Sequence, residues 1–166
     1  MSDLSPRARE LVVHLGLAPH PEGGFYRERI RAGELVVHPR TGAPRAALTC
    51  IEYLLPRGTF SALHVVRQIE VWHHLEGGPL ALHLLDPARG SHHVITLGKD
   101  VAGGQVPQAA VPPDVYQAAV ALDGDVLAGC TVAPGFEFAD FAMPPRHELA
   151  AIFPAHLALV AQLSRP

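Results

Sequence analysis

Long apolar runs are missing from this 166-residue chain. None approaches the 18 residues that a membrane-spanning helix needs, so a membrane is not an expected partner. Charged residues are scarce at 17%, but apolar residues make up 48%, which excludes a disordered chain. There is no basic run to follow a phosphate backbone and the net charge is −3, so nucleic acid is excluded as well. Cysteine is limited to Cys50 and Cys130, each in an apolar stretch, and the first ten residues are polar rather than leader-like. Two free buried thiols and no export signal lead to the expectation of a cytoplasmic protein.

Proline and glycine, in contrast, are plentiful at 16 and 15 residues, and there are eleven histidines. Frequent turns and few long helices point to an all-β chain. An opening helix is predicted over residues 5–15: Ser5 can cap it, Pro6 suits its first turn, and Gly16 ends it. After the loop Pro19-His20-Pro21-Glu22-Gly23-Gly24 the period changes to two. Strands are predicted at 24–30, 45–55, 60–66, 69–75, 79–85, 92–97, 108–111, 115–122 and 126–132, separated by Pro- and Gly-rich turns. Nine strands at this spacing predict a sandwich or barrel. The tail, 147–163, reads as two short helices, the second opened by Pro154. One domain, 1–166, is expected, with the end helices as appendages.

The strongest chemical pattern lies between Gly58 and Gly77. His64 and Val66 share a face of one strand, and Glu70, Trp72 and His74 share a face of the next, so the reading is a hairpin that brings an imidazole and a carboxylate to one cavity. Such a pair can hold a divalent metal or move protons. The spacing is that of the first cupin motif, with Val66 where a second His stands. The second cupin motif reads Pro112-Pro113-Asp114-Val115-Tyr116-Gln117, with Gln117 where the third His stands. Asp114 takes the place of a turn glycine, and Asp tolerates that backbone better than most residues. His64, Glu70 and Gln117 make a poor donor set, so no metal or other cofactor is expected. If a metal were present, these three residues would hold it.

Three segments carry a closer resemblance. They are residues 15–28, with Pro19-His20-Pro21-Glu22-Gly23-Gly24-Phe25-Tyr26 at their heart; residues 60–73, from Phe60 through His64 and Glu70 to Trp72-His73; and residues 129–141, including Ala133-Pro134-Gly135-Phe136-Glu137-Phe138. The chain resembles cupin family 5, an RmlC-like group of unknown function. This resemblance implies a double-stranded β-helix (jelly roll), a small-ligand pocket inside it and a homodimer. The group usually carries Val at position 66, an acid at the place of Ile69 and Gly at that of Asp114.

Within that frame His64 and Glu70 are the expected catalytic pair, with His64 as base and Glu70 holding its ring or acting as a second acid or base. Glu22, Tyr26, Trp72 and Gln117 are the expected ligand-binding residues, Trp72 as a stacking platform. The expected guest is a small polar molecule, sugar- or nucleotide-like, and the expected chemistry is metal-independent isomerisation or epimerisation. The alternatives are a non-catalytic binding or sensor module and a metal-dependent enzyme such as a dioxygenase. Replacing His64 by Ala is expected to remove binding and leave the melting temperature near wild type. Glu137 and Asp140 are read as structural, with closure over a pocket or a dimer seam as the other possibility.

Overall fold

The computed structural model describes residues 4–165. Helix α1 (Pro6–Leu15) forms where its caps place it. Ser5 accepts from the Ala8 N–H at 3.0 Å, and Gly16 leaves the helix in the left-handed region. Its inner face, Ala8 and Leu11, packs on Leu54 and Leu127 of the sheet below.

Thirteen strands follow among the described residues: β1 (Ala18–Pro19), β2 (Phe25–Arg31), β3 (Leu35–Val37), β4 (Pro44–Ala46), β5 (Thr49–Leu55), β6 (Phe60–Val66), β7 (Ile69–Gly77), β8 (Leu80–Asp86), β9 (Ser91–Leu97), β10 (Gln108–Val111), β11 (Tyr116–Ala121), β12 (Val126–Ala133) and β13 (Phe141–Ala142). Each expected strand is present within a residue or two. The predicted strand over 45–55 is in fact two, β4 and β5. Three strands, β1, β3 and β13, are too short for an alternating pattern to reveal them.

Two antiparallel sheets face each other as a jelly roll. One has the order β1-β2-β5-β12-β7-β10 and the other β13-β6-β11-β8-β9, with β3-β4 as a separate ribbon. Here the hairpin expected between β6 and β7 is corrected. The two strands are not hydrogen-bonded neighbours; the tight connection at Arg67-Gln68 crosses from one sheet to the other. Residues 64 and 70 therefore face each other across the barrel instead of lying side by side. Beside the start of this crossing Asp114 takes φ 63°, alone in positive φ among the described non-glycine residues. Its N–H donates to the Val66 carbonyl at 3.0 Å, and its carboxylate pairs with Arg40.

One half of the barrel is filled by Tyr53, Leu55, Trp72, Leu80, Leu82, Leu97, Val111 and Val126. The other half is open. Helices α2 (Arg146–Ile152) and α3 (Leu157–Leu163), joined by a 3-10 turn at Pro154–His156, cover the outside of the second sheet. Leu149, Phe153, Val160 and Leu163 bury themselves there against Leu63, Leu85 and Ala118. The end helices thus each bury an apolar face on the outside of a sheet, in clusters separate from the barrel core. No helix among the described residues is long and apolar enough to cross a membrane.

Phe153 is 2% exposed and stands edge-on to Tyr116, with ring centroids 5.2 Å apart. Truncating it to Ala should cost about 3–5 kcal/mol of stability, the usual range for a buried aromatic. A urea titration of Phe153→Ala checks this; a loss below about 1 kcal/mol would return the tail to an appendage.

Candidate functional site

The open half of the barrel encloses a cavity of about 300 Å³. That lies at the lower end of small-molecule sites, about 300–1,000 Å³. The two sheets supply its walls by alternation: Tyr26 and Glu28 from β2, Thr49 and Ile51 from β5, His64 and Val66 from β6, Glu70 from β7, and Cys130 and Val132 from β12. The loop before β2 adds His20 and Glu22, and the mouth is closed by Phe136, Glu137 and Phe138 of the segment between β12 and β13, with Phe141 at the start of β13.

Glu22 enters the barrel because two glycines let its loop lie against the strands. Gly23 and Gly24 take φ 117° and 67°. A Cβ on Gly23 would meet the Phe60 carbonyl at 2.5 Å, and one on Gly24 the Leu54 carbonyl at 2.5 Å. The loop is then tied down: the Glu22 carbonyl accepts from the Ala62 N–H at 2.8 Å and from Arg165 at 2.9 Å, and the Tyr53 hydroxyl donates to the Gly23 carbonyl at 2.6 Å. The glycines serve this approach of backbone to backbone, not an approach to a ligand.

The buried Glu22 carboxylate is the partner of His64. Oε2 lies 2.5 Å from His64 Nδ1 and accepts from the Ser61 hydroxyl at 2.8 Å, while Oε1 lies 3.1 Å from His20 Nδ1. His64 Nδ1 is also 2.8 Å from the Ala62 carbonyl. Nε2 makes no hydrogen bond to any described residue, and the ring lines the cavity. Burial alone would lower the His64 pKa. The charge and hydrogen bond of Glu22, with smaller help from Glu70 and the Ala62 carbonyl, overcome it and lift the value to about 9. Burial works on Glu22 in the opposite direction, and His64 outweighs it there too, holding Glu22 below the usual carboxylate range. His20 is pushed down, chiefly by burial, so it stays neutral beside them.

Glu70 stands apart from this pair. Its Oε2 accepts from Gln117 Nε2 at 2.5 Å, and Gln117 Oε1 accepts from Trp72 Nε1 at 2.8 Å. Burial first, then the Glu22 charge, raises the Glu70 pKa, although His64 and Gln117 pull the other way. Trp72 is not a stacking platform: its ring is 1% exposed in the filled half of the barrel, edge-on to Tyr53. Gln117 likewise does not line the cavity but orients Glu70 from behind. Ile69, where the family usually carries an acid, is exposed and does not line the cavity.

The expected residues therefore fall into two groups. His64, Glu70, Glu22 and Tyr26 meet at the cavity, and Trp72 and Gln117 support it. Sequence reasoning missed His20, Ser61 and Arg31. His20, two residues before Glu22 in the same proline-flanked loop, was the one with a readable signal. Asp140 is structural, accepting from Arg45 at 2.7 and 3.0 Å and from Gln68 at 2.5 Å, whereas Glu137 sits at the mouth. A metal does not fit this set. Both ends of the Gln117 amide are already bonded, Val66 offers no donor, and among the described residues no three His, Cys, Asp or Glu side chains are placed to hold an ion.

Comparison with known proteins bears on the family and the fold. A hypothetical protein from Leishmania major is 29% identical with a TM-score of 0.89, over 96% of this chain and 99% of that one. A protein from Shewanella oneidensis is 35% identical with a TM-score of 0.87, over 96% and 98%. Oxalate decarboxylase from Bacillus subtilis shares the fold at 18% identity and a TM-score of 0.58; the match covers 87% of this chain but only 36% of the decarboxylase. No curated protein matches. The family described as Cupin superfamily (DUF985) matches residues 9–144, and with that match over most of its length the chain belongs to Cupin_5.

Proposed function

We propose that the cavity binds a small polar metabolite about one sugar ring in size, and that His64 and Glu70 move a proton on it without a metal, as in an isomerase or epimerase. One observation carries this reading: a buried imidazole, clamped through Nδ1 by Glu22 and with Nε2 unbonded to any described residue, lines a cavity that also holds a carboxyl of raised pKa. A titratable pair in one cavity whose surroundings move both groups from their ordinary values is a candidate acid–base couple.

The roles differ from those expected of the sequence. His64 keeps its proton at neutral pH, so it is the acid and Glu70 the base. Glu22, not Glu70, holds the imidazole ring. Gln117 fixes the Glu70 carboxyl, and Trp72 fixes Gln117. A base with a raised pKa is better matched to neutral operation than an ordinary carboxylate. A sensor module would need the cavity but not this couple.

Deuterium wash-in separates the two. Sugars that raise the melting temperature should gain solvent deuterium at a carbon-bound position in the presence of the protein, and Glu70→Gln should stop the gain while binding stays within about threefold. Binding without wash-in would leave only the sensor. His64→Ala is no longer a neutral test of the fold. It strands Glu22 in a buried site, at a cost of about 3–5 kcal/mol. The double change Glu22→Gln with His64→Asn removes both charges, and it should keep the fold and lose wash-in.

The ion pair also has a pH signature. In the fold His64 titrates near 9, against 6.5 in the unfolded chain. Its contribution to stability is therefore full below about pH 6.5 and is lost as pH rises toward 9. Glu22, shifted down, loses its contribution only in acid, and Glu70, shifted up, weakens the fold as pH rises from the carboxylate range. Tyr53 and Cys130, raised by burial, add further loss only in more alkaline solution. Between pH 6.5 and 8.5 the wild-type melting temperature should fall, and that of the double variant should fall less. Parallel curves would remove the pair.

The expected homodimer is proposed on the outer face of the first sheet, where Ile30, Ile69 and Leu75 are exposed on the strands whose other faces line the barrel. Light scattering should give twice 17.7 kDa. A mass of 17.7 kDa at all concentrations would reject a dimer.

A further inference from the structure

At the mouth of the cavity two carboxylates share one cation. Arg31 donates to Glu28 at 3.0 and 2.8 Å, to Glu137 Oε1 at 2.8 Å and to the Phe136 carbonyl at 3.2 Å. No other Lys or Arg side chain among the described residues lines the cavity. One guanidinium between two carboxylates leaves a net negative charge, and its donors already point at protein oxygens. An incoming phosphate would find no free cation at the mouth and would have to displace Glu137. A cation would meet attraction at once.

The same rim is aromatic. Phe136, Phe138 and Phe141 stand edge to face, with centroids 5.1 to 6.0 Å apart, and Phe138 is 56% exposed although it is a large apolar side chain. Aromatic faces beside carboxylates attract an ammonium group when it comes within about 6 Å of a ring centroid. The buried end has the opposite character. His64, 3% exposed, lines the cavity with a ring whose Nε2 makes no hydrogen bond to any described residue, and an oxygen is its natural partner.

We propose that the guest carries a cationic nitrogen at the mouth and a hydroxyl or carbonyl oxygen at the buried end, the chemistry of an amino sugar and not of a phosphorylated sugar or a nucleotide. The inference rests on the small-polar-ligand reading above and narrows it. The rim selects by charge, and the interior orients the oxygen for proton transfer. Glu137 is then a specificity residue: it lies on the segment that closes the mouth and has no part in the His64–Glu22 pair.

Amide NMR titrations at pH 7 and low salt, with glucosamine, glucose and glucose 6-phosphate, test this. Glucosamine should half-saturate the signals of residues 136–141 at about one-tenth the concentration that glucose needs, as expected for a cation on an aromatic and acidic rim. Glucose 6-phosphate should be the weakest. Glu137→Gln, at a half-exposed position, should bring glucosamine to within about twofold of glucose. Equal titration by glucosamine and glucose overturns the charge preference and leaves the cavity reading standing, because glucose still reports on the same signals. Phosphate-first binding overturns it as well, and no response to any sugar counts against both readings. Tetramethylammonium and inorganic phosphate form a second pair free of sugar stereochemistry. The cation should shift residues 136–141 saturably and phosphate should not; the reverse, or no shift by either, overturns the proposal.

Discussion

The site depends on one buried ion pair. An imidazolium and a carboxylate removed from water each carry a desolvation penalty of several kcal/mol, and only close geometry with further hydrogen bonds offsets it. Here the Glu22–His64 contact is 2.5 Å long, and Ser61, His20 and the Ala62 carbonyl add further polar contacts. Ser61, Ala62 and His64 all lie on β6, within four residues of chain. A single strand therefore supplies the hydroxyl, the carbonyl and the ring, and one loop supplies the acid.

That loop is why the first sheet begins as it does. Glu22 can reach His64 only if its backbone lies on β5 and β6, and the contacts at Gly23 and Gly24 leave no room for a side chain. Arg165, near the other end of the chain, holds the Glu22 carbonyl and stacks on Phe60 at 4.6 Å. The C-terminal helices that place Arg165 are buried against the second sheet. The fold thus brings residues 22, 61–64 and 165 into one cluster, and the packing of the tail bears on the chemistry of the cavity.

The architecture was legible because alternation and turn residues are local signals. Each strand of four or more residues stood out, as did the Ser5 cap, and the quoted segments located the fold. The pairing of side chains was less legible. Alternation says that His64 and Glu70 point inward, but not that Arg67-Gln68 crosses between sheets, so the two looked adjacent when they are opposed. Glu22 lies 42 residues before His64, and nothing in the period of either segment couples them. Trp72 and Glu70 share a face of one strand, yet one faces packed leucines and the other a cavity. The difference arises from how far the filled half of the barrel extends, which is a property of the whole core and not of the strand. Composition overstated the histidines: His83 and His92 hydrogen-bond each other at 3.1 Å outside the cavity, and His74 bonds the Gly78 carbonyl.

The positions of Val66 and Gln117 show how a jelly roll can do without the imidazoles that a metal site would use there. A lone buried Glu70 would be costly, and two features relieve it. The amide of Gln117, itself held by Trp72, donates to it, and the raised pKa lets it take a proton instead of remaining charged. The one full positive charge in the interior, on His64, is already balanced by Glu22. Apart from His64 Nε2, the polar groups of Glu22, His64 and Glu70 on the inner wall are hydrogen-bonded, and the unbalanced charge lies outside, on Glu28 and Glu137 around Arg31. A barrel arranged in this way keeps its unbalanced charge at the rim and its buried ion pair at the base, and the two can change separately.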